Sequence, residues 1–130
     1  MPVATAGKQG VMSAAMAQKT LPLLIKNSQN NTKWLKIVFS SGYNALVGLD
    51  GNNQFGTLIG VTKRTWNDEK AKLYVIYGYP SQYEYKTEDN TLYIKLSSWN
   101  SASILIFTGS VVSEDFVENP PESAESISIE

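Results

Sequence analysis

Trp34-Leu35-Lys36-Ile37-Val38-Phe39 puts Leu35, Ile37 and Phe39 on one side of an extended chain and Trp34, Lys36 and Val38 on the other. β-Branched and aromatic residues dominate the run, and Ser40-Ser41-Gly42 stops it. The plan recurs over residues 43–49, 55–63, 73–79, 82–87, 91–97 and 103–112, each half-apolar and each followed by turn residues. In the last of these, Ile104 and Ile106 share one face, and Leu105 and Phe107 the other. No helical period follows Lys19, and no strand–helix–strand rhythm appears. Such a chain buries its apolar sides by stacking sheets. The expected fold is all-β, an antiparallel β-sandwich of jelly-roll or related topology with seven to eight strands.

The sandwich head is expected over residues 21–113. Leu21-Pro22-Leu23-Leu24-Ile25 reads as an edge strand, since Pro22 cannot donate to a ladder on both sides. Asp50-Gly51-Asn52-Asn53, between two alternating runs, reads as a hairpin turn. The remaining ligands of a calcium loop are missing there. Residues 114–130 hold six acidic residues, no Lys or Arg, and Pro120-Pro121. They are expected to form an acidic tail, disordered or draped on the surface. Only the alternation of Ser126-Ile127-Ser128-Ile129 suggests that it adds to a sheet edge.

Composition removes several functions. With no Cys and no His there is no disulfide framework, no His-based metal site and no Ser-His or Cys-His nucleophile. Eleven basic residues face six acidic ones over residues 1–113, but they are scattered, so nucleic acid is not an expected partner. No apolar run reaches the roughly 18 residues of a membrane span. Residues 11–17 are too short and Ser-interrupted for a signal-peptide core, which implies synthesis in the cytoplasm without one. Ala6-Gly7-Lys8-Gln9-Gly10 lacks the spacing of a phosphate loop, and no cofactor is expected.

The chain is rich in tyrosine and tryptophan, whose flat rings stack on the C–H faces of sugars but equally fill sandwich cores and subunit interfaces. Trp66 and Trp99 lie among polar residues near expected loops, where a core role is least natural. With Asn100 and Tyr83 they form the candidate glycan site. Glu84, Glu88 and Asp89, and Asp68 with Glu69, are sequence neighbours in charged turns. They read as solvated surface rather than a hydrolase pair, so no catalytic residues and no metal ligands are expected.

Residues 1–20 differ from the rest. Ser13 can cap a helix over residues 14–19, about two turns long and too short to hold itself in water. Ala4-Thr5-Ala6-Gly7-Lys8-Gln9-Gly10-Val11-Met12-Ser13-Ala14-Ala15, followed by Lys19-Thr20-Leu21, resembles a segment recurrent in bacteriophage tail fibres and related virion appendages. It departs from that pattern where Ala15 and Met16 replace an acidic residue, and where an Asp-Gly after the Lys-x-Leu is missing. The resemblance implies a joint between a shaft and a globular tip, a homotrimer, and attachment to other virion proteins and to host surface polysaccharide. Met12, Met16 and Leu21 would then pack around a threefold axis. The alternative is a stand-alone carbohydrate-binding module.

Overall fold

In the computed structural model, residues 23–51, 54–65 and 69–129 are described. The expected N-terminal helix, Met12, Met16, Leu21 and Trp66 lie outside the described residues. The chain runs through β1 (Leu23–Asn27), β2 (Lys33–Phe39), β3 (Tyr43–Gly51), β4 (Gln54–Lys63), β5 (Lys72–Tyr77) and a 3₁₀ turn (Pro80–Gln82). It continues through β6 (Glu84–Glu88), β7 (Thr91–Leu96), β8 (Asn100–Thr108), β9 (Val111–Val117) and β10 (Glu125–Ser126). Strands β9-β2-β7-β6-β10 pair as sheet A and β1-β8-β3-β4-β5 as sheet B, all neighbours antiparallel.

Alternation decides what goes inside. Leu35, Ile37 and Phe39 of β2, with Leu92, Ile94 and Leu96 of β7, form the inner face of sheet A. Ala45, Val47 and Leu49 of β3, Ile59 and Val61 of β4, and Ala102, Ile104 and Ile106 of β8 form that of sheet B. The two inner faces merge into one apolar core. The run expected as one strand over residues 103–112 is two strands, because the chain leaves sheet B at Gly109 to enter sheet A. Gly109 has φ +105°, and a Cβ there would lie 2.8 Å from the Gly42 carbonyl oxygen. Beside it Ser40 N–H donates to Ser110 C=O at 2.9 Å, so the β2–β3 and β8–β9 crossings share one corner.

The hairpin between β3 and β4 forms, but Asp50 and Gly51 belong to the strand; Gly51 pairs with Gln54. Gly51 answers a packing need: a Cβ there would lie 2.0 Å from the Asn100 side-chain oxygen, whose amide occupies that space.

The open sides of the two layers are closed differently. On one side, Lys26 of edge strand β1 and Glu114 of edge strand β9 both point inward, opposite Ala102 and Ile37 respectively. They form a partly buried ion pair of 2.8 Å. Inward charges on edge strands also discourage pairing with foreign strands.

The other side is closed by the C-terminal segment, which of the two forms expected, disordered or draped on the surface, takes the draped one and adds to a sheet edge. Glu114 to Val117 complete β9, and residues 118–124 cross the outer face of sheet A, where Ala124 packs on Trp34 and Tyr93. Glu125 and Ser126 then pair with β6, Ile127 N–H donates to Tyr85 C=O at 3.1 Å, and Ile129 bridges Leu73 on β5 of sheet B. The segment joins the core through Ile127, despite its charge. Lys70 pairs with Glu125, and Ser123 hydrogen-bonds Glu88. Burying one isoleucine side chain contributes about 1.5–3 kcal/mol. Truncation after Val117 is therefore expected to lower the melting temperature by at least about 5 °C. A calorimetric scan showing no loss would leave the segment without a structural role.

Phe39 and Tyr43 stack across the β2–β3 corner with centroids 3.8 Å apart. The Tyr43 hydroxyl is buried with no hydrogen-bond partner among the described residues; the nearby Thr87 hydroxyl donates to Thr91 C=O at 3.0 Å. Burial raises the Tyr43 phenol well above its usual range. An unsatisfied buried hydroxyl costs about 1–3 kcal/mol. Tyr43→Phe is thus expected to leave the melting temperature unchanged or higher, and a clear drop in thermal denaturation would reveal a partner for the hydroxyl.

Candidate interaction surface

The outer faces of the two sheets are unlike. Sheet A presents Lys36, Lys95, Glu84, Lys86 and Asp115 around Trp34 and Tyr93. Its charges pair locally, as in Lys95–Glu84 at 3.4 Å, and the Lys86 ammonium lies 5.7 Å from the Trp34 ring. Trp34, Tyr93, Ala124 and Val117 close into a small second cluster, so the chain covers this face itself.

Sheet B presents the reverse. The pairing register sets two rows across its outer face: Ile25, Ser103, Gly48, Leu58 and Tyr77, and beside it Leu23, Leu105, Leu46, Gly60 and Tyr74. Neither row contains a charge. Ile25 is 66% exposed and Tyr77 71%, at opposite edges of the sheet. Tyr74, Val75, Ile76, Tyr77 and Tyr79 add a run of exposed apolar and aromatic residues along edge strand β5. A shallow groove of about 400 Å³, lined by Gly48, Gly56, Leu58, Tyr77, Ser101 and Ser103 among others, runs through the face.

Three glycines pave it. Glycine inside a strand weakens the strand and packs nothing. A Cβ at Gly56 or Gly60 would meet nothing within 4 Å, and at Gly48 it would touch only Leu58 and a carbonyl at 3.9 Å. The domain's own packing therefore does not require glycine at these positions. Glycine within a strand also marks places where another backbone or a ligand approaches closely. Contiguous exposed apolar area on this scale marks interaction sites.

A second feature stands at one end of sheet B. Trp99 is 50% exposed and has φ 60°, on a turn from Ser97 to Asn100. The turn leans on the β1–β2 loop. Trp99 N–H donates to Gln29 C=O, Ser28 Oγ–H donates to Ser97 C=O, and Asn100 N–H donates to Ser28 Oγ at 3.1 Å. Ser28 and Asn100 are buried.

The four residues expected at a glycan site thus separate. Trp99 is on the surface as expected. Asn100, beside it, is buried against Gly51 and serves as scaffold. Tyr83 is 5% exposed and belongs to the core, so its ring has no free face for a sugar; alternation with Glu84 and Tyr85 already carried that signal. Burial chiefly, and the Asp50 charge secondarily, push the Tyr83 phenol up to about 12. Trp66 lies outside the described residues.

Tyr74 and Tyr77 belong to the aromatic set expected to fill the core, an interface or a sugar site, whereas Ile25 and the three glycines were not singled out from sequence. The signals were a strand, 73–77, that is apolar without alternation, and glycines recurring on one face of two strands. Of the carboxylates considered, Glu84 pairs with Lys95, Glu69 with Arg64 and Glu88 with Ser123, Asp89 is exposed in a turn, and Asp68 lies outside the described residues. A charged cleft holding Glu69, Glu88, Asp89 and Glu125 is the seam already closed by Lys70–Glu125 and Ser123–Glu88. Among the described residues no group of three or more His, Cys, Asp or Glu is placed to hold a metal ion, and no helix is long and apolar enough to cross a membrane. Comparisons with protein-family models, curated proteins and solved structures give no match.

Because Tyr83 is core, Tyr83→Ala is expected to cost about 3–5 kcal/mol of stability. Chemical denaturation would show it as a lower midpoint; an unchanged midpoint would return Tyr83 to the surface.

Proposed function

We propose that this chain is a structural attachment protein of a virion, a small phage fibre or fibre-tip subunit whose heads associate through the outer face of sheet B. The observation that carries this reading is the inequality of the two outer faces: one is covered by the chain's own C-terminal segment, the other keeps two bare, uncharged rows and three glycines, with Asp50 and Lys72 only at their margins. The fibre-like segment over residues 4–21 supports a virion setting, and the partners are two further copies of the chain and other virion proteins. The chain changes sheet five times, at β1–β2, β2–β3, β5–β6, β7–β8 and β8–β9. Frequent crossing of this kind supports a sandwich of jelly-roll-related topology. The chemistry of the bare face is that of binding rather than catalysis.

The test is the mass of the full-length protein by size-exclusion chromatography with light scattering. A particle of three times the 14.3 kDa chain is expected. Ile25→Lys and Tyr77→Lys, at exposed positions, are expected to lower that mass without lowering the melting temperature, because each puts an unpaired charge in an apolar contact. A wild-type monomer, or a mass indifferent to both substitutions, overturns the reading.

A second reading, a stand-alone carbohydrate-binding module, is favoured by one observation, the exposed Trp99. A monomeric chain that binds sugar would select it.

A further inference from the structure

Trp99 stands where its backbone is least comfortable. A bulky side chain in the left-handed region is a rare conformation, one that glycine adopts freely. Strain of this kind persists only where the surroundings over-determine it, and it clusters at ligand-binding positions. Here the surroundings are the buried hydroxyl of Ser28, bonded to the turn on both sides of Trp99, and the Gln29 carbonyl that takes the Trp99 N–H. Gln29 itself has φ 56°, so two left-handed residues brace each other. Their loop is fixed in turn by Gln29 N–H donating to Asn27 Oδ1 at 2.6 Å, and by Asn27 Nδ2–H donating to Ser101 Oγ at 2.7 Å. All this framework holds in place an indole that is half open to solvent and contributes little to the core.

The neighbourhood says what would sit on the ring. Residues 27–32 read Asn-Ser-Gln-Asn-Asn-Thr and residues 97–101 Ser-Ser-Trp-Asn-Ser, without one charged side chain. Gln29, Asn30, Asn31 and Thr32 are exposed. A rigid aromatic plane offers stacking to an apolar C–H face, and a collar of amides and hydroxyls offers both donors and acceptors to hydroxyl groups. Both together fit a pyranose ring. Within these two segments there is no Lys or Arg to offer a carboxylated or sulfated sugar a counter-charge, and Lys33 beyond Thr32 lies over the Phe116 ring. Asp50, opposite Ser101 on the adjoining strand, repels such a sugar. We infer that the Trp99 turn and the 27–32 loop form a binding site for a neutral hexopyranose unit of a polysaccharide. This rests on reading the chain as a binding protein, but it uses a different surface from the bare face of sheet B.

The experiment follows the indole and backbone N–H signals of full-length ¹⁵N-labelled protein during titration with methyl glucoside, methyl galactoside, methyl mannoside and N-acetylglucosamine. Sialic acid serves as the charged comparison. At least one neutral sugar is expected to shift the Trp99 indole and the amides of residues 27–32 saturably, and sialic acid to shift them less. Trp99→Gly identifies the indole signal and supplies the second arm. It is expected to bind at least tenfold more weakly while melting at the same or a higher temperature, because glycine relieves the strain. The inference is overturned if no neutral sugar shifts these signals, if the shifts survive in Trp99→Gly, or if Trp99→Gly melts below the parent. Light scattering on the same samples keeps this separate from the assembly reading: a monomer that binds sugar retains this site, and a trimer that ignores every sugar loses it.

Discussion

Two stacked sheets share an apolar core only if water is kept out along both open sides, and the rest of this structure depends on how that is done. One side is held by Lys26 and Glu114, each pointing inward from an edge strand and each unable to stay there without the other. Breaking such a pair leaves one charge facing the core, so the two edges are fixed together or not at all. The other side is held by the chain's own last residues, which pair with β6 of sheet A and then bridge to β5 of sheet B. An acidic, proline-containing segment is thus a part of the fold. Its few apolar residues, Ala124 and Ile127, fall where they meet Trp34 and Tyr85.

That closure has a consequence for the outside. In reaching the far edge the C-terminal segment has to cross sheet A, and in crossing it covers Trp34 and Tyr93. Sheet A therefore has two packed faces, which explains why β2 carries a tryptophan on its outward side. Sheet B receives only the tip of the segment, at Leu73. Its outer face keeps the apolar rows that end in Ile25 and Leu23 on one edge and in Tyr77 and Tyr74 on the other. The asymmetry between the faces comes from the path of the chain.

Most strands were legible because period-two alternation is a local property. Leu35, Ile37 and Phe39 are buried together because a pleated strand must put them on one side. What was not legible is what alternation does not encode. Thr108-Gly109-Ser110 does mark a break within residues 103–112, but that the chain changes sheets there is a matter of topology, which the triplet does not encode. Gly51 reads as a turn residue by habit of composition, yet its reason lies 49 residues away in the Asn100 amide. In the tail, charge count outweighs Phe116, Val117, Ala124, Ile127 and Ile129 when position is unknown, and only the alternation at 126–129 points to a sheet edge. Tyr83 was readable: Tyr83 and Tyr85 alternate with Glu84 and Lys86, and the phase that buries one buries both.

Sheet B also contains two substitutions against its own stability, and they run in opposite senses. At 48, 56 and 60 the strands hold glycine where a β-branched residue would gain about 1 kcal/mol of strand preference and where a Cβ would meet no clash. At 99 the turn holds tryptophan where glycine would remove a conformational penalty of about 1–2 kcal/mol. Stability alone would put glycine in the turn and side chains in the strands. The chain has them the other way round, smooth on the face and protruding at the tip. Smoothness suits a surface that another surface must approach closely, and a braced protruding ring suits a small ligand that must be stacked upon. Both departures are what the proposed contacts outside the monomer would call for, and the core beneath them, with its two closed sides, supplies the stability they give up.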